Sequence, residues 1–448
     1  MTEPARPARS GASGAPGAPG APDAVAPRAG PGMTAAGFRR ALWGIVLLGL
    51  VLRIVYAYVI VKSRPLVGDA LEFQQQANLL AAGHGFIAPD PWYAHHIARP
   101  TADKPPVYTL LEAAISRLGG RTWAWHDLVD VLAGTATVGV TGLVGQRVGG
   151  TRGDRLGLIA AAVAAVYPLL IAADGSLRSE SVFALLVTLS LWAALRLRDS
   201  PTAARAAVLG AVVALAALTR AEGLLLVILL PFGLAGRRRG LLSVAVCVLV
   251  LAPWLARCWI VFGQPVLIST NVGGLLAGAN CARTYAGPLI GQWDLYCVPR
   301  AQYVNEAREA DRLREIGLDY ARHHADRLPA VIAARIGRSF ELFRPWQGVD
   351  IEVFFEGRDA TVERVGVYVY YVVALLAVAG TVLLVRRRGP WRILLSPLAL
   401  MLFVAITAYG ITRFRVAAEP ALIVLAGVAL DAAIARRGSR GSRRTVII

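Results

Sequence analysis

Ten apolar runs dominate this chain, at 41–62, 126–146, 156–173, 181–197, 206–219, 223–235, 241–262, 366–385, 392–410 and 416–434. The first is 22 residues long, about 33 Å as a helix, enough to cross the ~30 Å hydrocarbon core of a bilayer. A soluble fold cannot absorb this pattern. Of 448 residues 56% are hydrophobic and 17% charged, and mean hydropathy is +0.54, whereas even a ~300-residue soluble domain leaves about a quarter of its surface in water. Four cysteines are too few for a disulfide scaffold. The expected fold class is all-α integral membrane, with about ten transmembrane helices and two long extracytoplasmic loops.

The net charge of +18 would point to nucleic acid on a soluble chain. Here the basic clusters Arg39-Arg40, Arg237–Arg239, Arg386–Arg388 and Arg436-Arg437 lie at the ends of apolar runs, which is the positive-inside pattern and speaks against a nucleic-acid partner. The uncertain stretch is 206–235, where Thr219-Arg220-Ala221-Glu222 interrupts two short apolar runs. Two short helices meeting at the outer face keep the later Arg clusters inside, whereas one tilted helix would bury an Arg and a Glu. Both termini are then cytoplasmic, and the outer loops are 63–125 and 264–365. Residues 1–36, rich in Ala, Gly and Pro, are expected to be a disordered cytoplasmic tail. Residues 37–435 form the polytopic domain, and 436–448 a basic cytoplasmic tail. Heavy Arg and Ala usage fits a GC-rich bacterial genome, hence an inner or plasma membrane.

Polar residues gather at the outer ends of the runs. Asp69 follows Gly68 and opens an amphipathic stretch closed by Gly83; Asp69 and Glu72 share a helical face. On this segment alone, Asp69 reads equally as an N-cap or as a catalytic carboxylate. Asp103-Lys104-Pro105-Pro106 is rigid and extended, holding its Lys in one direction. Lys occurs only at 62 and 104 in a chain otherwise using Arg, so Lys104 marks a place that wants a compact ammonium. Further outer groups are Glu180, Arg220, Glu222, Arg413 and Arg415, with Arg53 in the outer half of the first run and His84 and Tyr108 in the first loop. His95-His96 has no second ligand pair at a metal-binding spacing, so no metal is expected. Cys281 and Cys297 fall in the second outer loop, where a disulfide would contribute about 3 kcal/mol; two free thiols are the alternative.

The ordered set resembles a family. Gly68-Asp69 is followed by a helix ending Ala77-Asn78-Leu79-Leu80-Ala81-Ala82-Gly83-His84-Gly85-Phe86. Then come Pro100 to Tyr108 around Asp103-Lys104-Pro105-Pro106, Ser179-Glu180-Ser181, Thr219-Arg220-Ala221-Glu222-Gly223, and Arg413-Phe414-Arg415 before Glu419-Pro420. Across residues 38–435 this is similar to the GT-C membrane glycosyltransferases, those related to protein O-mannosyltransferases (glycosyltransferase family 39) and lipid A aminoarabinose transferases. The resemblance implies that Asp69 is the catalytic carboxylate of the first outer loop. It also implies a polyprenyl-phosphate-linked sugar donor, and a lipid, wall-glycan or protein acceptor at the outer face. The adjacent Asp-Glu pair of many relatives is here Asp69-Ala70, with Glu72 one turn later, and their large carboxy-terminal domains are absent.

The residue types suit that chemistry. No Walker or Rossmann glycine loop is present, so no nucleotide cofactor is expected. A lipid-phosphate leaving group gains negative charge in the transition state, which calls for fixed cations: Lys104, Arg220, Arg413, Arg415 and Arg53. The acceptor hydroxyl must lose a proton, a role for Asp69 with Glu72 or Asp103 in reserve. Glu180, Glu222, Tyr108 and His84 would line the substrate cavity. One base and direct displacement imply inversion at the anomeric carbon. A lipid-linked-sugar flippase and a non-catalytic assembly protein are the rival readings.

Overall fold

Among the described residues the backbone is helical, with one isolated bridge, Ile87 to Pro100, as its only extended pairing. A computed structural model describes residues 33–61, 66–231 and 236–444, with side chains to 437. The expected tail lies outside the described residues as far as 32, and its boundary shifts, because α1 (Ala35–Val55) starts before residue 37. Thr34 sets that start by accepting from Gly37 N at 3.1 Å. Lys62, the end of the 223–235 run and residues 445–448 also lie outside the described residues.

After α1, which continues as a π-helical turn Tyr56–Ile60, the first outer loop carries α2 (Asp69–Ala81), α3 (Pro89–His95) and α4 (Pro106–Arg117). The bundle resumes with α5 (Trp123–Val148), α6 (Gly153–Val166), α7 (Pro168–Ala173), α8 (Glu180–Asp199) and α9 (Ala203–Ala217). The run at 156–173 is thus two helices, split where Pro168 cannot continue the ladder of α6. The run at 223–235 is not a full helix either. A 3-10 turn at Ala221–Leu225 leads into a four-residue α10 (Leu226–Leu229), where Gly223 lets the chain fold back directly onto the backbone of Ala216 and Ala217.

α11 (Arg237–Phe262) leads into the second loop: α12 (Val272–Ala279), α13 (Ala282–Tyr285), α14 (Glu306–His323), α15 (Leu328–Ser339) and α16 (Pro345–Glu356). A disulfide joins Cys281 to Cys297 in this loop. The chain closes with α17 (Ala360–Arg386), α18 (Trp391–Thr407), a 3-10 segment Thr412–Ala418 and α19 (Glu419–Arg444). The helix therefore runs well into the stretch expected to be a tail.

Among the described residues five helices are long and apolar enough to cross a membrane: α1 with its π turn, α5, α8, α11 and α17. The chain is a multi-pass membrane protein. Packing sorts the helices. α19 is well enclosed, with Ala421 to Ala426 all buried and the helix packed on α17, α6 and α5. α1 and α11 instead expose apolar faces such as Trp43, Leu47 and Val51 or Val248, Leu249 and Ile260, as helices bordering lipid do. The N-termini of α5 and α8, the loop helices α2 and α4, and the 412–418 segment meet at one end of the bundle.

Candidate functional site

Glycine 68 takes φ +57 as the N-cap of α2, so Asp69 is the first helical residue and not the cap. Its carboxylate satisfies cations instead of backbone. Asp69 Oδ1 accepts from Lys104 Nζ at 3.0 Å, and Oδ2 from Arg178 Nη1 at 2.9 Å and Arg413 Nη2 at 3.1 Å. Three cations from three distant parts of the chain thus meet on one side chain that is 30% exposed.

Lys104 arrives through the Pro-Pro device. Pro105 holds φ −61, ψ 150 as the cap of α4, and Pro106 opens the helix. Its ammonium touches Asp69, Glu72 at 3.2 Å and Asp103 at 2.9 Å. Burial opposes its charge, but these three carboxylates outweigh burial and hold the Lys104 pKa well above its ordinary value. Burial likewise works against Asp69, yet Lys104, Arg413 and Arg178 keep its carboxyl well below the usual range. Glu72 goes the other way. Desolvation, opposed by Lys104 and reinforced by Asp103 and Asp69, lifts it to about 7. Two carboxylates one turn apart therefore differ in basicity because their neighbours differ.

A second ring of charge adjoins the first. Arg413 Nε lies 3.1 Å from Glu180 and its Nη1 3.4 Å from Glu356. Arg220 spans Glu180 at 2.5 Å and Glu222 at 2.6 Å. Glu180 opens α8, where the positive end of the helix favours an acid. Arg178 Nε is a buried donor with no hydrogen-bond partner among the described residues, and Arg413 Nε, though close to Glu180, makes no aligned hydrogen bond to it.

Of the residues expected at the site, Asp69, Glu72, Asp103, Lys104, Glu180, Arg220, Glu222 and Arg413 come together. Four do not. Arg53 is buried and tied to Asp174 at 2.7 Å and to the carbonyl of Gly49; Gly134 makes room for that pair, since a Cβ there would overlap the Asp174 carboxylate. Arg415 turns inward to Glu419 at 2.5 Å and Glu341 at 3.1 Å over the Tyr370 ring. His84 is exposed and stacks on Trp92. Tyr108 is wholly buried. It works from behind, donating to Asp130 Oδ2 at 2.7 Å, which accepts the Arg178 backbone N–H at 3.2 Å.

Arg178 stands out in sequence as one of the polar groups at the outer ends of the apolar runs but without a role at the site, and Glu356 and Arg358 were not singled out. Arg178 follows Leu177, a non-glycine residue at φ +53, a conformation costing about 1–3 kcal/mol. That turn aims its guanidinium at Asp69 and at the carbonyl of Phe355, 2.8 Å away. Arg358 gathers Glu352, Glu356 and Glu363 at 3.0, 2.7 and 2.9 Å, holding Glu356 for Arg413. The signal available in the sequence was position: each is a charged residue beside the outer end of an apolar run.

The first loop is strapped to the second. Glu306 accepts Ala102 N at 2.8 Å, Ser269 Oγ donates to the Asp103 carbonyl at 2.5 Å, and Arg257 donates to the carbonyls of Thr101 and Phe86. Among the described residues no group of His, Cys, Asp and Glu has the arrangement of a metal site.

No protein-family model matches the chain, and no curated protein matches it by sequence. Solved structures do match. The archaeal oligosaccharyltransferase AglB from Archaeoglobus fulgidus, in complex with an inhibitory peptide and a dolichol-phosphate, aligns at TM-score 0.54 and 14% identity over 92% of this chain and 52% of its own. The apo form of the same organism's oligosaccharyltransferase gives TM-score 0.57 at 14% identity with the same coverages. ArnT from Cupriavidus metallidurans bound to undecaprenyl phosphate gives TM-score 0.44 at 15% identity over 88% of this chain and 78% of its own. The chain spans about half the length of the oligosaccharyltransferases it matches. These neighbours are GT-C glycosyltransferases, and at such identities the likeness is one of fold.

Proposed function

We propose that this protein is a membrane glycosyltransferase that moves a sugar from a polyprenyl-phosphate carrier to a hydroxyl-bearing acceptor at the extracytoplasmic face. One observation carries the reading: Lys104, Arg178 and Arg413, from three separate regions of sequence, converge on Asp69. A structural ion pair needs one cation, and three around one partly exposed carboxylate gather fixed charged N–H donors for which a phosphate can compete. The AglB structure, which shares the fold, holds a dolichol-phosphate.

In this reading the donor phosphate takes hydrogen bonds from Lys104, Arg178 and Arg413, with Arg220 one carboxylate away. As the bond from the anomeric carbon to the phosphate oxygen breaks, that oxygen gains charge, and cations already in place stabilise it without reorganising. The acceptor oxygen attacks the opposite face of the sugar and gives its proton to Asp69. Cations drawn to the phosphate are withdrawn from Asp69, so donor binding itself raises the basicity of the carboxylate. The product sugar has inverted configuration. The carrier is a polyprenyl phosphate, the acceptor is a lipid, wall glycan or protein, and the setting is a bacterial plasma membrane with both chain termini in the cytoplasm.

The test is Asp69→Asn in membranes supplied with polyprenyl-phosphate sugars. Transfer is expected to fall by about 10²–10⁴ while thermal unfolding stays as in the wild type. Transfer within threefold of the wild type, or a product of retained configuration, would overturn the assignment.

A further inference from the structure

At the opposite end of α8 from the charge cluster, the helices part. Glu180 opens α8 within the site, and Arg196 lies 16 residues further on, ~24 Å along the axis. There the last turns of α8 and the first turns of α9 enclose a cavity of about 330 Å³, walled by Trp192 and Arg196 on one side and by Thr202, Ala204, Arg205 and Val208 on the other. The volume is within the ~300–1,000 Å³ of small-molecule sites.

Its charge is unbalanced. The Arg196 guanidinium lies over the Trp192 ring at 4.7 Å with its buried Nε lacking an acceptor. Arg205 spends one nitrogen on the carbonyls of Arg196 and Ser200, both at 2.9 Å, which closes the end of α8. Arg147 reaches the same Trp192 ring at 5.9 Å and pairs with Asp199 at 2.9 Å. Two guanidinium groups thus lie against the indole and a third, Arg205, lines the same cavity, with the Asp199 carboxylate paired to Arg147. The N-terminus of α9, capped by Thr202, adds its positive end. The remaining wall is apolar: Ala204 and Val208 stand one turn apart on α9, and Val208 is 48% exposed, so this side of the cavity presents an apolar surface to the outside of the helix bundle.

We infer that this cavity is a binding site for an anionic phospholipid, its phosphate held by Arg196 and Arg205 and its first acyl carbons lying along Ala204 and Val208. A cationic rim and an apolar flank on a helix pair of a membrane protein match a headgroup and tail in that order. The inference is independent of glycosyl transfer, since no residue of the cavity belongs to the charge cluster.

The full chain, exchanged into nanodiscs of phosphatidylglycerol mixed with phosphatidylcholine, is analysed for retained lipid by native mass spectrometry. Phosphatidylglycerol is expected to be retained preferentially. Arg196→Gln and Arg205→Gln should each weaken that retention about fivefold, and Val208→Trp should remove it by filling the cavity with both arginines intact. Arg198→Gln, which alters an exposed Arg on the same helix outside the cavity, should leave it unchanged. Equal retention of both lipids, equal losses from Arg198→Gln and Arg196→Gln, undiminished retention in Val208→Trp, or full displacement by inorganic phosphate would each overturn the assignment.

Discussion

Arg413 Nη2 lies 3.1 Å from Asp69 Oδ2, although 344 residues of chain separate them. The same guanidinium faces Glu180 and Glu356, so it joins the first outer loop, the start of α8 and the end of α16. The planar fork holds its donors at fixed, separate positions, one towards each of these carboxylates, whereas a lysine would gather them at a single point.

Arg413→Lys is therefore a severe change despite conserving charge. We expect kcat/KM for the donor to fall ~10–100-fold, the loss of one or two charge-assisted hydrogen bonds. Steady-state transfer assays check this, and a value within threefold of wild type would show that charge alone suffices.

The pH dependence follows from Glu72. Its pKa is raised to about 7, so below 7 it is neutral and Lys104 faces two carboxylates, and above 7 it faces three. Lys104 has more positive charge to offer a phosphate on the acid side. Donor KM should accordingly rise as pH goes from 6 to 8, and Glu72→Gln should hold it at the low-pH value throughout. Asp69, held well below the usual carboxylate range, contributes no inflection in that interval.

Arg53 has a different part. Arg53→Met leaves Asp174 buried opposite no guanidinium, a change that typically costs about 3–5 kcal/mol. Thermal unfolding should shift down strongly while donor KM in the surviving enzyme is unaltered, and adding Asp174→Asn should recover part of the stability. Gly134→Ala should reproduce the loss, because its Cβ would displace the Asp174 carboxylate.

The Cys281–Cys297 disulfide closes a 16-residue separation, worth about 3 kcal/mol in the chain-entropy picture. Reduction, or Cys281→Ser with Cys297→Ser, should destabilise the second loop first. Limited proteolysis within 281–300 should accelerate before global unfolding does.

Much of this was legible in the residues. Apolar periodicity located the helices, and Gly68-Asp69 with Asp103-Lys104-Pro105-Pro106 marked the site because special backbone residues flank isolated charges. Partner choice was not legible. Arg53 and Arg415 look like Arg220 and Arg413 in sequence, each near the outer end of an apolar run. Arg53 finds Asp174 121 residues away, and Arg415 finds Glu341 74 residues away beside its near neighbour Glu419, so the packing of the bundle decides which guanidinium turns inward. Arg178 was given no role for the complementary reason, since its aim depends on the left-handed backbone of Leu177. The broken runs at 156–173 and 223–235 show the limit of hydropathy, which counts apolar residues without seeing where Pro168 or a close-packed Gly223 turns the chain.

Glu306 grips the amide of Ala102, two residues before Lys104. With Thr270 N donating to the Ala102 carbonyl at 3.1 Å, that short strut fixes the ammonium to α14 as firmly as to its own loop. In the proposed reading, an acceptor that leans on the second loop is linked through this strut to the cation on the donor side, so that the binding of either substrate is felt at the other.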